Sequence, residues 1–213
     1  MTFTRLRWIK LGWLALLAIF FFVFSAWYGG NGKPLSAEEG ARLIAELRAT
    51  YADAPHNDGQ LADHLEAMVP NDDGKEFYAV NLEQLKAGDA AQAADRAYGE
   101  VVVPLLFKRA GHLVFVSERA GLMLGKYGDE VDRVAVVRYR SLRDLINMAK
   151  DPAMVGVSPY KFASLDHTEV FITRPFITFL QVRFILALIL IALAWAGLSL
   201  INWLSARRKT SED

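Results

Sequence analysis

Two charge-free runs bracket this sequence and constrain it more than anything between them. "LGWLALLAIFFFVFSAWY" covers Leu11 to Tyr28, and "FILALILIALAWAGLSLINWL" covers Phe184 to Leu204. As helices of about 18 and about 21 residues they match a hydrocarbon core roughly 30 Å thick. Arg5, Arg7 and Lys10 precede the first, and Trp27 and Tyr28 close it as interfacial aromatics. A cleaved signal peptide is the competing reading, but bulky Trp27 and Tyr28 crowd the place where small residues mark cleavage. A retained anchor is therefore expected. Arg183 stands at the entry of the second run, where its long side chain can snorkel, and Arg207, Arg208 and Lys209 follow the exit. Basic residues on both outer tails predict two spans of an inner (cytoplasmic) membrane, with both termini cytoplasmic and the central domain periplasmic.

These limits predict a basic tail over 1–10, a first span over 11–28 and a linker with two short helices over 29–75. A folded domain over 76–174, a second span over 176–204 and a basic tail over 205–213 follow. Lys and Arg number 24, as do Asp and Glu, so no bulk charge draws the chain to nucleic acid. The absence of cysteine excludes disulfides, thiolate metal sites and thiol nucleophiles.

Between the runs the pattern is that of a small α+β unit. Ser36 with Glu39 and Ser141 with Asp144 have the spacing of helix-start caps. Leu43, Ile44, Leu47 and Tyr51 form one helical face, and Leu61 to Val69 suits a short helix. "EFYAVNL", "HLVFVSE", "VDRVAVVRY" and "TEVFIT" read as strands. A helix over Ala90 to Gly111 contains Pro104, which should kink or divide it. Val155 to Leu165 is a looser stretch with helical character. The order strand, helix, strand, strand, helix, strand is that of a ferredoxin-like unit on one antiparallel sheet. Its strands do not alternate cleanly: Val134 and Val136 oppose Ala135, Val137 and Tyr139. Both faces are thus expected to be buried, and a face-to-face homodimer closing a barrel would cover the second. The alternative is that the helices of 36–69 fold back over it.

The segments "FYAVNLEQLK", "YGEVVVPLLFKRAGHLVFV", "DEVDRVAVVRYRSLRDLINMAKDP" and "TEVFIT" resemble an uncharacterised family, a domain of unknown function in the dimeric α+β-barrel (ferredoxin-like) superfamily. The resemblance covers about Glu76 to Thr173. It implies a ferredoxin-like dimeric α+β barrel, here flanked by an N-terminal and a C-terminal transmembrane helix that such families typically lack. The superfamily includes ligand-binding and catalytic barrels for small organic molecules as well as members without known chemistry, so the resemblance says little about a reaction.

No arrangement of residues obliges catalysis. His56, His64, His112 and His167 have no metal-ligand spacing, and no phosphate-binding glycine motif or nucleophile elbow is present. No catalytic residue, metal or cofactor is therefore expected. Asp132 and Arg133 point to opposite faces of their strand. If the fold encloses a pocket, Asn81, His112, Asp132 and Arg138 are the candidates to line it. Ala192, Ala196, Gly197 and Ser199 form a small-residue stripe suited to helix packing in a membrane. The expected partners are the lipid bilayer and a second copy or another membrane protein. The main reading is a non-catalytic accessory or interaction subunit of a membrane assembly. The alternative is an anchored enzyme or binding protein for a small hydrophobic organic compound.

Overall fold

The computed structural model describes residues 3–52, 59–177 and 181–210; His56 lies outside them. The chain forms two compact units, one of residues 1–28 with 177–213 and one of 29–176. In the first, helices α1 (Phe3–Gly29) and α7 (Val182–Thr210) are long and apolar enough to cross a membrane, by length and composition. They pack on each other: Trp13 Nε1 donates to the Leu193 carbonyl at 3.3 Å, and the Arg183 guanidinium lies 5.7 Å from the Tyr28 ring centroid.

The second unit carries α2 (Ala37–Thr50), α3 (Gln60–Met68), a short 3-10 turn, β1 (Phe77–Leu85), α4 (Asp89–Lys108), β2 (His112–Glu118), β3 (Arg133–Tyr139), α5 (Leu142–Ala149), α6 (Pro152–Ser164) and β4 (Leu165–Thr173). The caps sit at the spacing that their sequence suggests. Ser36 Oγ accepts from Glu39 N at 3.1 Å, and Ser141 Oγ accepts from Asp144 N at 3.2 Å. Asp151 ends α5 and starts α6, its carboxylate accepting from Ala153 N. Helix α4 continues through Pro104 as one element. Past its end the backbone of Gly111 runs so close to β3 that a Cβ there would meet the Arg138 carbonyl at 2.9 Å.

The four strands form one antiparallel sheet in the order β2-β3-β1-β4. The helices of this unit pack on one face. Phe77, Tyr139 and Ile172 meet α2, α3 and α5 through Leu43, Ile44, Leu47, Leu65, Leu142 and Ile146. Val137 meets α4 and α5 through Leu105, Leu106 and Met148. Burying each such large apolar side chain stabilises by about 1.5–3 kcal/mol.

This arrangement corrects the expected barrel. The sheet is open, with β2 and β4 as its edges, and α2 and α3 join the other helices on the covered face rather than crossing to the far one. The doubly apolar strands have another cause. On the far face the register aligns Phe115, Val136, Val80 and Phe171 in one row across all four strands. Phe115 and Phe171, 50% and 45% exposed on the edges, flank the pair Val136 and Val80, of which Val136 is only 9% exposed. The face thus shields its own centre, and a mate is not needed to account for its apolar residues. The dimeric barrel falls with that argument, as does the accessory-subunit role that rested on it.

Candidate functional site

The covered face of the sheet is apolar at one end and polar at the other. Successive register rows across β3, β1 and β4 read Val137–Ala79–Ile172, then Ala135–Asn81–Val170, then Arg133–Glu83–Thr168. Residues paired in this way share a face, so the last two rows set Asn81, Glu83, Arg133 and Thr168 side by side. Helix α4 adds Asp95 and Tyr98, and α6 adds Lys161.

Arg133 organises one half of this cluster. Its Nε donates to Glu83 Oε2 at 2.6 Å, and its two terminal nitrogens hold both Asp95 oxygens at 2.7 Å. This fork geometry gives the strongest form of charge-assisted hydrogen bond. The Arg133 pairing holds the Asp95 carboxyl below its ordinary range, and Asp95 in turn raises the guanidinium's pKa. Glu83 is 6% exposed, so the pair fixes β1 to β3 and both to α4 in largely dry surroundings.

The other half is under-bonded. Asn81 Nδ2 donates to the Ala135 carbonyl at 3.0 Å, which aims Oδ1 at Lys161 Nζ, 3.4 Å away. That is the only hydrogen bond of the Lys161 side chain among the described residues, and no carboxylate there lies within ion-pair distance. Loss of hydration pushes the Lys161 pKa down, and the positive charge of Arg133 adds to the effect, while Glu83 opposes it. The Thr168 hydroxyl, beside Glu83 in the register, is buried without a partner. Burial also raises the Tyr98 pKa, with Glu83 and Asp95 among the charges acting on it. Buried polar atoms in folded proteins are nearly always satisfied, and an orphan is commonly completed by water or ligand. Val170, the register neighbour of Asn81, is 46% exposed, so the cluster reaches the surface along edge strand β4.

Of the residues expected to line a pocket, only Asn81 belongs here. Arg138 lies on the opposite face, 1% exposed, bonded to Glu76 and to the Ala110 carbonyl at 2.6 Å. Its register neighbour His112 shares that face, with Nδ1 3.0 Å from the Leu113 carbonyl. Asp132 caps the end of β1, accepting from Leu85 N at 2.8 Å. These are structural duties. Gly197 faces Trp13 in the other unit, where a Cβ would come within 2.3 Å of Nε1; Ala192, Ala196 and Ser199 lie on the same helix. Among the described residues no group of three or more His, Asp or Glu is placed to hold a metal ion. Glu83, Asp95, Tyr98, Lys161 and Thr168 were not singled out from the sequence. Their only advance signal was Glu83 and Arg133 at the ends of two otherwise apolar strands.

No protein-family model and no curated protein matches the chain. Solved structures do. Methylated RPA0582 protein matches with a TM-score of 0.50 at 18% identity, over 59% of this chain and 95% of that one. RPA0582 is described as a protein of unknown function from Rhodopseudomonas palustris. An uncharacterised NIPSNAP domain protein from Burkholderia xenovorans matches at 13% identity with a TM-score of 0.37, over 48% of this chain and 98% of that one. Hydroxynitrile lyase from Passiflora edulis matches at 12% identity with a TM-score of 0.38, over 50% and 98%. At these identities the likeness concerns the fold alone.

The coverage corrects the expected localisation. Methylated RPA0582 is matched over 95% of its length, which leaves no room for terminal helices of 27 and 29 residues. The shared fold therefore does not require flanking spans, and the expected two-span inner-membrane placement with a periplasmic domain does not follow from it. What the comparisons carry is that this chain has an α+β fold shared with structurally related, functionally uncharacterised proteins.

Proposed function

We propose that the polar end of the covered sheet face binds a small organic compound bearing a carbonyl or carboxylate oxygen, as a binding protein or as an enzyme acting on such a compound. The observation that carries this reading is the unpartnered, buried Thr168 hydroxyl in the same cluster as a Lys161 ammonium with one long hydrogen bond. The hydroxyl lacks an acceptor and the ammonium has donors to spare, and an oxygen-bearing ligand supplies both. Ala135 and Val170 beside Asn81 offer apolar contact to the rest of such a molecule. Arg133, Glu83 and Asp95 satisfy one another, which leaves the ligand to the under-bonded half.

The test is calorimetric titration of the full chain in detergent with butanoate, butanal and 2-pentanone. The reading expects saturable binding of at least one probe, weakened about tenfold by Thr168→Val or Asn81→Leu, the loss of about one hydrogen bond to a charged or desolvated group. Absence of saturable binding, or binding that neither substitution alters, overturns it.

A further inference from the structure

Lys161 differs from the other lysines with a described amine contact. Lys150 pairs with the Glu46 carboxylate, and Lys86 donates to the Phe162 carbonyl at 2.8 Å with its side chain at the surface. Lys161 comes from α6 to the partly buried polar end of the sheet, and the group it meets there is the Asn81 side-chain amide at 3.4 Å. The two nearby carboxylates are committed elsewhere: Glu83 to Arg133 Nε at 2.6 Å, and Asp95 to the same guanidinium through both oxygens. The amine therefore has no carboxylate within ion-pair distance. Poor solvation of the ammonium is a condition that turns a lysine from a surface charge into a nucleophile, and here it outweighs the opposing charge of Glu83.

We infer that Lys161 reacts with the carbonyl carbon of an aldehyde or ketone ligand to form a reversible imine. The inference rests on the binding reading above and adds to it the class of ligand and the covalent step. The lone pair of the neutral amine forms a C–N bond to the carbonyl carbon as the carbonyl π pair moves to oxygen. The oxygen takes up one amine proton to give a carbinolamine. It then leaves as water with the second amine proton, and the nitrogen lone pair closes the C=N bond. Amine plus carbonyl thus gives imine plus water, with no oxidant or reductant. The Thr168 hydroxyl, with no partner of its own, is a group of this cluster able to donate to the carbonyl oxygen as it gains charge. Asn81 Oδ1 accepts from the amine and sets its position. The desolvated surroundings also lower the amine's pKa, which raises the share of neutral amine near neutral pH.

The test is reductive trapping. The full chain in detergent is incubated with butanal and sodium cyanoborohydride near neutral pH, digested, and each lysine's butylation is followed by mass spectrometry. The inference expects Lys161 to be butylated several times faster than Lys86 and Lys150, and excess 2-pentanone to slow labelling at Lys161 alone. Lys161→Arg, which keeps the charge and loses the primary amine, abolishes the fast labelling. Thr168→Val slows labelling at Lys161 and leaves Lys86 unchanged. Labelling of Lys161 no faster than Lys86 and Lys150 overturns the imine. If butanoate still binds in a Thr168-dependent way in that case, the binding reading survives and the covalent step alone is lost. If neither binding nor fast labelling is found, both are refuted.

Discussion

Replacing Arg133 with methionine isolates what the ionic half of the cluster contributes. The substitution keeps most of the stem's volume and removes the guanidinium that serves Glu83 and Asp95 together. The side chains of Arg133, Glu83 and Asp95 are 20%, 8% and 33% exposed, so the site lies between the limits of a surface pair and a dry one. Exposed pairs are worth about 0.2–1 kcal/mol, and breaking a fully buried one costs about 3–5. With Glu83 left nearly dry, Arg133→Met should cost about 2–4 kcal/mol. Much of that is the penalty on the stranded carboxylates, so adding Glu83→Leu should restore part of it, with a coupling of about 1–3 kcal/mol. Asp95 gives the pH dependence. Its folded pKa is depressed, so its contribution is present above the ordinary carboxylate range and is lost as pH falls through the folded value. The gap between wild type and variant is therefore widest near neutral pH and narrows in acid. Urea unfolding followed by circular dichroism measures it. Tryptophan fluorescence would miss it, because Trp8, Trp13, Trp27, Trp195 and Trp203 all lie in α1 and α7. A cost under about 1 kcal/mol at neutral pH, or no recovery in the double variant, refutes the reasoning.

Other substitutions probe separate parts of the account. Lys161→Met removes an under-bonded ammonium and should stabilise the protein by about 1–3 kcal/mol near neutral pH. Because the folded pKa of this lysine is lowered, the burden that it imposes is full below that value, so the gain should shrink as pH rises toward the ordinary lysine range; a destabilised variant in urea melts contradicts this. Gly111→Ala sets a Cβ 2.9 Å from the Arg138 carbonyl, a backbone atom that cannot swing aside, and should cost about 1–3 kcal/mol in the same measurement. Arg138→Met strands Glu76 and the Ala110 carbonyl on the opposite side of the sheet from the cluster; it should cost about 2–4 kcal/mol and leave probe binding unchanged, since it lies across the sheet from Lys161. Gly197→Val drives a Cβ into Trp13, and should shift the tryptophan emission and lower the thermal midpoint of the α1–α7 unit.

The parts legible in the sequence were those written in local chemistry. Ser36 and Ser141 marked helix starts by an oxygen within reach of the third following amide, and the strands showed as runs of β-branched residues. The expected barrel failed because periodicity reports that a side chain is shielded, not what shields it. Val136 is covered by Phe115 and Val80, its own cross-strand neighbours, and that looks the same in sequence as cover from a second molecule. The cluster was hidden for a related reason. Asp95 reaches Arg133 across 38 residues, and Lys161 reaches Asn81 across 80, so register and helix docking, rather than spacing, bring them together. Gly156 and Pro159 blur the helical pattern of α6, and with it the face that carries Lys161 inward. Asn81 was found because a lone amide amid apolar strand residues stands out by itself.

The most direct measurement is a titration of the full chain in detergent micelles with butanoate, observed by NMR of isotope-labelled threonine methyl groups. The Thr168 resonance is assigned by its loss in Thr168→Val. If the under-bonded end of the sheet is the ligand site, that resonance shifts saturably, and Lys161→Met abolishes the shift while Thr173, near the apolar end of the same strand, stays still. A Thr168 signal that does not move, or that moves equally in the Lys161→Met protein, contradicts the account.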